Sequence, residues 1–297
     1  MITIITPTYN RKYILENAYN SLKSQTSYEF EWIIVDDGST DNTSELVKDW
    51  IQNCNYFHIS YYKRKNGGKH RAINFGVSKS NAEYVLILDS DDYLVPNAIE
   101  LIHSWLESIQ EDNSIVGVAG LRGWIKNNTS IGNIVENDNF IDATNIERKK
   151  YNLLGDKAEV YSTNILKKYP FPEYDGENFI RESSVWDRIA LDGYKLRWYN
   201  KIIYMCEYLE DGLTRNVDNY IYAKNYKGFL YCTKLYLRTE NFIYRYHKIG
   251  HFYIVSQLIN KKNTEICDLL EINIFQLYIG ISIYKIVSIL KNNYKRK

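Results

Sequence analysis

The chain has 297 residues, 45% of them apolar and 25% charged, an ordinary globular composition, long enough for one α/β domain with an appended piece. Its net charge of +1 argues against nucleic acid or a strongly acidic partner. The four cysteines, Cys54, Cys206, Cys232 and Cys267, form no CxxC pair, so neither a zinc site nor a disulfide framework is indicated and a reducing compartment fits.

The chain opens on a strand pattern, Ile2 to Thr6, without a basic-then-apolar leader, so a cytoplasmic protein is expected. Pro7 cannot donate to a ladder and is expected to end that strand. Residues 12–24 then show helical spacing at Tyr13, Ile14, Ala18 and Leu22. The loop between them, Pro7-Thr8-Tyr9-Asn10-Arg11, leads into a helix N-terminus, a natural anion site. A plain turn capped by Asn10 is the simpler reading of the same residues.

Glu31 to Val35 reads as a second strand ending in Asp36-Asp37-Gly38-Ser39-Thr40-Asp41. A carboxylate just past a strand end can hold ribose hydroxyls or a base N–H. It can equally cap the next helix, Thr43 to Ile51. Tyr56 to Lys63 is a third strand, followed by KNGGKHRAINFG over 65–76. The Gly67-Gly68 pair permits close backbone approach, and Lys69 and Arg71 bring positive charge at the start of a helix over 69–78. Neither GxxxxGK[ST] nor a GxGxxG after the first strand is present, which disfavours a P-loop enzyme and a dinucleotide-dependent oxidoreductase.

Val85 to Leu88 is an uninterrupted apolar run ending in Asp89-Ser90-Asp91-Asp92. Such a run reads as a strand buried on both faces. Three carboxylates at its carboxyl end are costly unless a cation neutralises them. Clustered hard oxygens suit Mg2+ or Mn2+ holding a phosphorylated ligand. An acidic turn capping a helix over 96–107 is the plainer alternative, but it uses only Ser90 or Asp92. Alternating strands and helices up to about residue 110 predict a parallel sheet of βαβ units.

Further on, strands are expected over 114–124, 158–163 and 195–204, with an irregular surface excursion over 126–142. A helix is expected over 183–191, with Glu182 at or just before its N-terminus. The helix dipole favours a carboxylate there, where a general base could act; a plain N-terminal Glu is the common alternative. From Asn219 on, Tyr, Ile, Leu and Lys dominate, and two or three helices are expected up to Asn292. Ile272 to Leu290 is apolar almost all round and ends in a basic tail, Lys291, Lys295, Arg296 and Lys297. It is long enough to span a bilayer, but Asn273, Gln276 and Lys285 tell against a span. A buried accessory helix and an interfacial helix with its basic end on anionic lipid both remain open.

Four segments, TPTYNR at 6–11, VDDGSTD at 35–41, NGGKHRAINFG at 66–76 and LDSDD at 88–92, together resemble the family 2 glycosyltransferases of the GT-A fold, in family order. The resemblance covers residues 1 to about 215. It implies an α/β fold with a Rossmann-like, mostly parallel central sheet flanked by helices. On that pattern residues 1–218 form the transferase domain, with a nucleotide-binding half over 1–110 and an acceptor half over 111–218. Residues 219–297 form a helical C-terminal region.

The resemblance also implies roles. Pro7, Tyr9 and Arg11 would line the nucleotide pocket, with Asp37 on the uracil or ribose and Asp36 beside it. Lys69 would approach the base or diphosphate. Asp89, Ser90 and Asp91 form the DxD segment, with Asp91 the principal ligand of Mn2+ or Mg2+ and Asp89 assisting. Many members carry Glu-Asp before a later helix, the Asp acting as base. Here Arg181-Glu182 stands in that place, which moves the base to Glu182. LEDGLTRN at 209–216 resembles the loop that closes over the diphosphate, so Thr214 and Arg215 are further candidates.

The implied activity is metal-dependent, inverting transfer of a sugar from a nucleotide-sugar, with a UDP-sugar as the family default. The acceptor would be a hydroxyl of a glycan or lipid-linked acceptor in cell-surface polysaccharide synthesis. The C-terminal helix would give a membrane-surface contact at the inner face of the cell membrane. Two alternatives stand beside it: a nucleotidyltransferase that activates a sugar phosphate, and a non-catalytic partner subunit of a transferase complex.

Overall fold

A computed structural model describes residues 1–133, 140–207, 209, 212 and 217–295, the side chains of 291–295 excepted. The chain forms two compact units: Met1–Phe171 with Ile189–Tyr208, and Pro172–Arg188 with Leu209–Lys297.

The first unit is built on one sheet with strand order β3-β2-β1-β4-β8-β6-β9-β5, and β7 pairs with β9. Its strands are β1 (Ile2–Thr8), β2 (Phe30–Asp36), β3 (His58–Lys63), β4 (Tyr84–Ile87), β5 (Tyr93–Leu94), β6 (Ile115–Trp124), β7 (Phe140–Ala143), β8 (Lys157–Ser162) and β9 (Lys195–Cys206). β1 pairs in parallel with β2 and β4, and β2 in parallel with β3. The parallel arrangement expected of the first part of the chain is therefore present. β8 runs antiparallel between β4 and β6, which returns β6 and its parallel partner β9 to the direction of β4. The carboxyl ends of β1, β2, β4, β6 and β9 thus share one edge, where open α/β sheets bind ligands.

Helices α1 (Leu15–Lys23), α2 (Thr43–Asn53) and α4 (Ala98–Glu107) contribute Leu15, Leu22, Val47, Trp50, Ile99 and Ile102 to a core with Ile4, Trp32, Ile34 and Leu86. Tyr19 stacks on Trp50 with ring centroids 4.3 Å apart. Helix α3 (Lys69–Lys79) packs on the sheet through Gly76, where a Cβ would stand 2.6 Å from Ile5 Cγ2, and the short α5 (Thr163–Lys168) follows β8.

Two sequence expectations are corrected in this unit. Pro7 does not end β1: it pairs with Val35, and the strand runs to Thr8. The carbonyl of Ile5 faces β4, where it accepts from Leu88 N–H. Strand alternation puts the Pro7 nitrogen on that same side, beyond the last β1–β4 pair at Ile5. The missing N–H therefore removes no ladder bond. Within the stretch read as irregular, β7 pairs antiparallel with β9. Arg197 holds it by gripping Asp142 with two bonds of 2.7 Å, and Trp198 Nε1 donates to Ala143 O at 2.9 Å.

The second unit contains most of α6 (Ser183–Leu191) and five later helices: α7 (Asn219–Lys224), α8 (Tyr226–Thr239), α9 (Phe242–Leu258), α10 (Asn263–Leu270) and α11 (Ile274–Lys295). The two or three helices read from the sequence divide further, and no proline marks the breaks. Asp218 caps α7 through Ile221 N–H, Asn241 caps α9 through Tyr244 N–H, and Glu271 takes a left-handed turn at φ 57° before α11. Tyr222, Phe229, Ile249, Phe252, Val255, Ile266 and Leu277 form this unit's core. Leu277 is fully buried, whereas Phe275, Tyr278, Ile286, Ile289 and Leu290 on α11 are exposed. Among the described residues no single helix is long and apolar enough to cross a membrane, and α10 and α11, bent by 98°, reach that composition only as a pair.

Candidate active site

β4 and the Leu88 that follows it deliver Asp89 to the carboxyl edge of the sheet, and β5 begins four residues later. Because β5 pairs antiparallel with β9, with Leu94 opposite Tyr204, the acidic turn is folded against the end of β9. Arg122 on β6 lies directly opposite Tyr204 in the β6–β9 register.

Charge is balanced there in pairs. Lys69 Nζ at the start of α3 lies 2.6 Å from Asp89 Oδ1. Arg122 Nη1 lies 3.6 Å from Asp89 Oδ2 and 3.8 Å from Asp92 Oδ2. Tyr204 Oη accepts the Asp89 N–H at 2.9 Å and donates to Asp92 Oδ2 at 2.8 Å. The Arg122 guanidinium sits 4.2 Å from the centre of the Tyr204 ring, and its Nε donates to Lys157 O at 2.9 Å.

The three acids titrate differently for identifiable reasons. Burial alone would raise the Asp89 carboxyl, but Lys69 and Arg122 outweigh it and hold it below the usual carboxylate range. Asp92 is raised, by burial and then by the neighbouring Asp89 charge, against the pull of Arg122. Asp91 is raised by burial and by repulsion from Asp89, with Arg11 and Lys69 opposing.

Next along the edge, Asp36 accepts from Ser39 N–H at 2.6 Å and from Tyr61 Oη at 2.5 Å. Asp37 receives Gly67 N–H on one oxygen at 2.9 Å and Gly68 N–H on the other at 2.8 Å. Burial raises the Asp37 carboxyl, and these two backbone donors oppose the rise. Gly68 stands at φ 97°, a conformation that needs glycine. Asn10 joins the first loop to the second: its N–H donates to Ser39 Oγ at 2.8 Å and its Oδ1 accepts from Thr40 N–H at 2.8 Å.

Of the residues singled out from the sequence, Lys69 and Asp89 are in contact, and Asp91 follows with Arg11 close enough to favour its charged form. Ser90 is buried in the turn, Pro7 is buried at the end of β1, and Tyr9 is exposed. Asp36 and Asp37 organise their own loop and the Gly67-Gly68 turn. Glu182 belongs to the second unit, where its carbonyl accepts from Val185 N–H at 2.9 Å, so it opens α6 as expected. Beside it, Arg181 donates to the Tyr222 hydroxyl. Thr214 and Arg215 lie outside the described residues.

Arg122 and Tyr204 were not among the residues the sequence pointed to. Arg122 carried one signal, a charge near the end of an otherwise apolar strand, which a core tolerates only with partners. Tyr204 carried none, being one of 28 tyrosines.

Among the described residues no group of three or more His, Cys, Asp or Glu side chains forms a metal cage. A divalent cation shared with a diphosphate needs only one or two protein carboxylates, and the donor set here fits that arrangement. No side chain among the described residues hydrogen-bonds or ion-pairs with the Asp91 carboxylate, while burial and Asp89 raise the cost of its charge. Thr8 Oγ1, at the end of β1, is also buried without a hydrogen-bond partner.

The glycosyl transferase family 2 model matches residues 3–167. Glycosyltransferase GlyG of Streptococcus pneumoniae is 36% identical over 113 residues, which are 38% of this chain and 37% of that relative. The chain thus aligns with about a third of this relative's length. Among solved structures, S. aureus TarS 1-349 in complex with UDP-GlcNAc superposes with a TM-score of 0.61 at 19% identity, over 95% of this chain and 79% of that one. Mannosyltransferase PcManGT from Pyrobaculum calidifontis, in complex with GDP-Man and Mn2+, gives 0.56 at 14% identity, over 100% and 88%. With a mixed α/β sheet flanked by helices and a family match over more than half its length, the chain belongs to glycosyl transferase family 2 and has the GT-A fold.

Proposed function

We propose that the protein transfers a sugar from a nucleotide-sugar, a UDP-sugar in the first instance, to an acceptor hydroxyl in cell-surface polysaccharide synthesis, with metal dependence and inversion at the anomeric carbon. The observation that carries this reading is the acidic turn at the sheet's carboxyl edge, where, among the described residues, no side chain hydrogen-bonds or ion-pairs with the Asp91 carboxylate beside the Lys69–Asp89 pair. The UDP-GlcNAc complex of TarS and the GDP-Man and Mn2+ complex of PcManGT support the donor class and the metal.

Asp91, with Asp89 beside it, would hold the Mn2+ or Mg2+, and when bound the ion would supply Lewis-acid stabilisation of the departing diphosphate. The rest is assigned to the chain's own groups. Lys69 gives a mobile cation for the diphosphate, released from Asp89 as the ligand arrives. The Gly67-Gly68 turn clamped by Asp37 forms the wall for the nucleoside, with Pro7, Tyr9 and Arg11. Glu182 accepts the proton of the acceptor hydroxyl as its oxygen bonds to the anomeric carbon and the bond to the diphosphate oxygen breaks. Thr214 and Arg215 are assigned to the diphosphate on the motif alone.

The experiment is thermal unfolding with UDP, GDP, CDP and ADP, each with and without Mn2+. A ligand at a hundred times its Kd stabilises by about 2.7 kcal/mol. The reading expects one nucleotide to act, to need metal and to lose its effect in Asp91→Asn. A protein that no nucleotide stabilises, with or without metal, sinks it.

We also propose that α11 lies on the inner face of the cell membrane. Its exposed Phe275, Tyr278, Ile286, Ile289 and Leu290 are followed by Lys291, Lys295, Arg296 and Lys297, and no Asp or Glu occurs after Glu271. An apolar helix face with cations and no acids matches an anionic lipid surface. Sedimentation with vesicles of phosphatidylglycerol, but not of phosphatidylcholine alone, is expected, and Phe275→Ser with Ile286→Ser should abolish it. Equal binding to neither, with a dimer in solution broken by the same changes, would assign the face to a second copy instead.

A further inference from the structure

We propose that Arg122 and Tyr204 are positioning residues for the donor site: together they fix both ends of the Asp89–Asp92 turn so that Asp91 is presented to metal and diphosphate. The inference rests on the donor-site reading of Asp91 and deepens it.

Three carboxylates within four residues repel one another, and a turn of that charge left to itself would splay. Its two ends are tied to a single hydroxyl. Tyr204 Oη accepts a hydrogen bond from the Asp89 N–H at 2.9 Å and donates one to Asp92 Oδ2 at 2.8 Å. Arg122 places one cation between the same two acids, at 3.6 and 3.8 Å. Neither group is loose. Tyr204 is fully buried. Arg122 is held by Lys157 O through Nε and by the Tyr204 ring beneath its guanidinium. Lys157 is on β8, Arg122 on β6 and Tyr204 on β9, so three strands outside the nucleotide half define where the turn sits.

The consequence falls on the one acid that these ties omit. Asp89 is spanned by Lys69 and Arg122, and Asp92 by Tyr204 and Arg122. Asp91 lies between two fixed residues and has neither partner. Its side chain is therefore free to bind while its backbone is held, which is the preorganisation a carboxylate ligand needs.

A purely structural role would show only as lost stability. The distinguishing measurement is the metal-dependent increment in nucleotide affinity: the ratio of Kd without Mn2+ to Kd with Mn2+, by calorimetry with UDP and with GDP, on folded protein. Tyr204→Phe keeps the ring under Arg122 and deletes only the hydroxyl. It is expected to shrink the increment by about tenfold or more, the scale of a lost hydrogen bond to a charged group, while the metal-free Kd changes little. Arg122→Lys keeps a charge but loses the stack and the Nε bond, so a partial loss is expected, with Arg122→Met falling further. Should Tyr204→Phe fail to fold, the Arg122→Lys and Arg122→Met order carries the test.

Folded variants that keep the wild-type increment, whatever their melting temperature, overturn the positioning role and leave the donor site standing. A wild-type protein with no increment for either nucleotide overturns the donor-site reading, and this inference with it. Asp91→Asn, which should abolish the increment without touching the Tyr204 bonds, separates the two failures.

Discussion

Lys69 Nζ stands 2.6 Å from Asp89 Oδ1, joining the first residue of α3 to the second residue past β4. The pair is partly open to solvent, so its net contribution to stability is small, about 1 kcal/mol at most. Its value lies in what it can exchange: an incoming diphosphate competes with Asp89 for the ammonium. Lys69→Ala should therefore lower nucleotide affinity about tenfold or more while the melting temperature moves by only a few degrees. Raising the salt concentration should weaken nucleotide binding in the wild type more than in the variant, because one screened contact is already gone. Equal salt dependence in both would show that Lys69 does not reach the ligand.

Asp37 offers a second separation of structure from binding. Its two oxygens each take one backbone N–H, from Gly67 and from Gly68, and it is buried. Asp37→Ala leaves both amides without that acceptor and should cost about 1–3 kcal/mol. Asp37→Asn keeps one acceptor and should cost less. Amide exchange at Gly67 and Gly68 should accelerate in both, most in the alanine variant. Unchanged exchange there would show that the turn holds itself.

These two sites show what the chain discloses in one dimension. β4 was legible because a four-residue apolar run ends abruptly in acids, and α6 because its apolar positions recur with helical spacing after Glu182. The acids at 36, 37, 89 and 91 were legible because they sit at strand ends. Their partners were not. Arg122 and Tyr204 reach the turn through long-range strand pairings, β4 with β8, β8 with β6, β6 with β9 and the two-residue β5 with β9, none of which has a local signal. β7 escaped notice for the same reason, since its place is fixed by Arg197 and Trp198 more than 50 residues away. Two of the helix breaks after residue 219 were hidden because Asn241 and a left-handed Glu271 make them, where glycine or proline would have announced them.

In the second unit, His251 makes stability depend on pH. It packs on Tyr222, Phe229 and Tyr284, and its Nε2 lies 2.9 Å from Asn219 Oδ1. Burial, then Lys248, Arg181 and His247, push its pKa from 6.5 down to about 4. Above pH 6.5 both folded and unfolded forms are neutral there, and the group costs nothing. Between 6.5 and 4 the unfolded chain takes a proton that the folded one refuses, so stability falls as pH falls. The loss should reach about 2 kcal/mol by pH 5. Urea midpoints at pH 7.5 and pH 5 would read it, and His251→Gln should lack that part of the difference. A variant with the full wild-type slope would move the effect to other groups.

The crossing of α9 and α11 rests on two glycines. A Cβ on Gly250 would stand 2.3 Å from Gly280 O and 2.4 Å from Tyr284 Cβ, and one on Gly280 would stand 2.6 Å from Ile249 Cγ2 and 3.0 Å from Tyr246 O. Alanine is favoured over glycine inside a helix by about 1 kcal/mol, so propensity alone predicts that either substitution stabilises. The contacts predict the reverse at Gly250, because a backbone oxygen cannot swing aside as a side chain can. Gly250→Ala should destabilise by about 1–3 kcal/mol net, the usual scale of overpacking. Gly280→Ala should cost less, since the backbone oxygen it meets, Tyr246 O, stands farther off at 3.0 Å. The two should not add: once one methyl has parted the helices, the second enters space already opened. A double-mutant cycle on urea unfolding should therefore show the pair costing less than the sum of the singles. Strict additivity would mean that the helices do not part, and that each methyl is absorbed locally by its own neighbours.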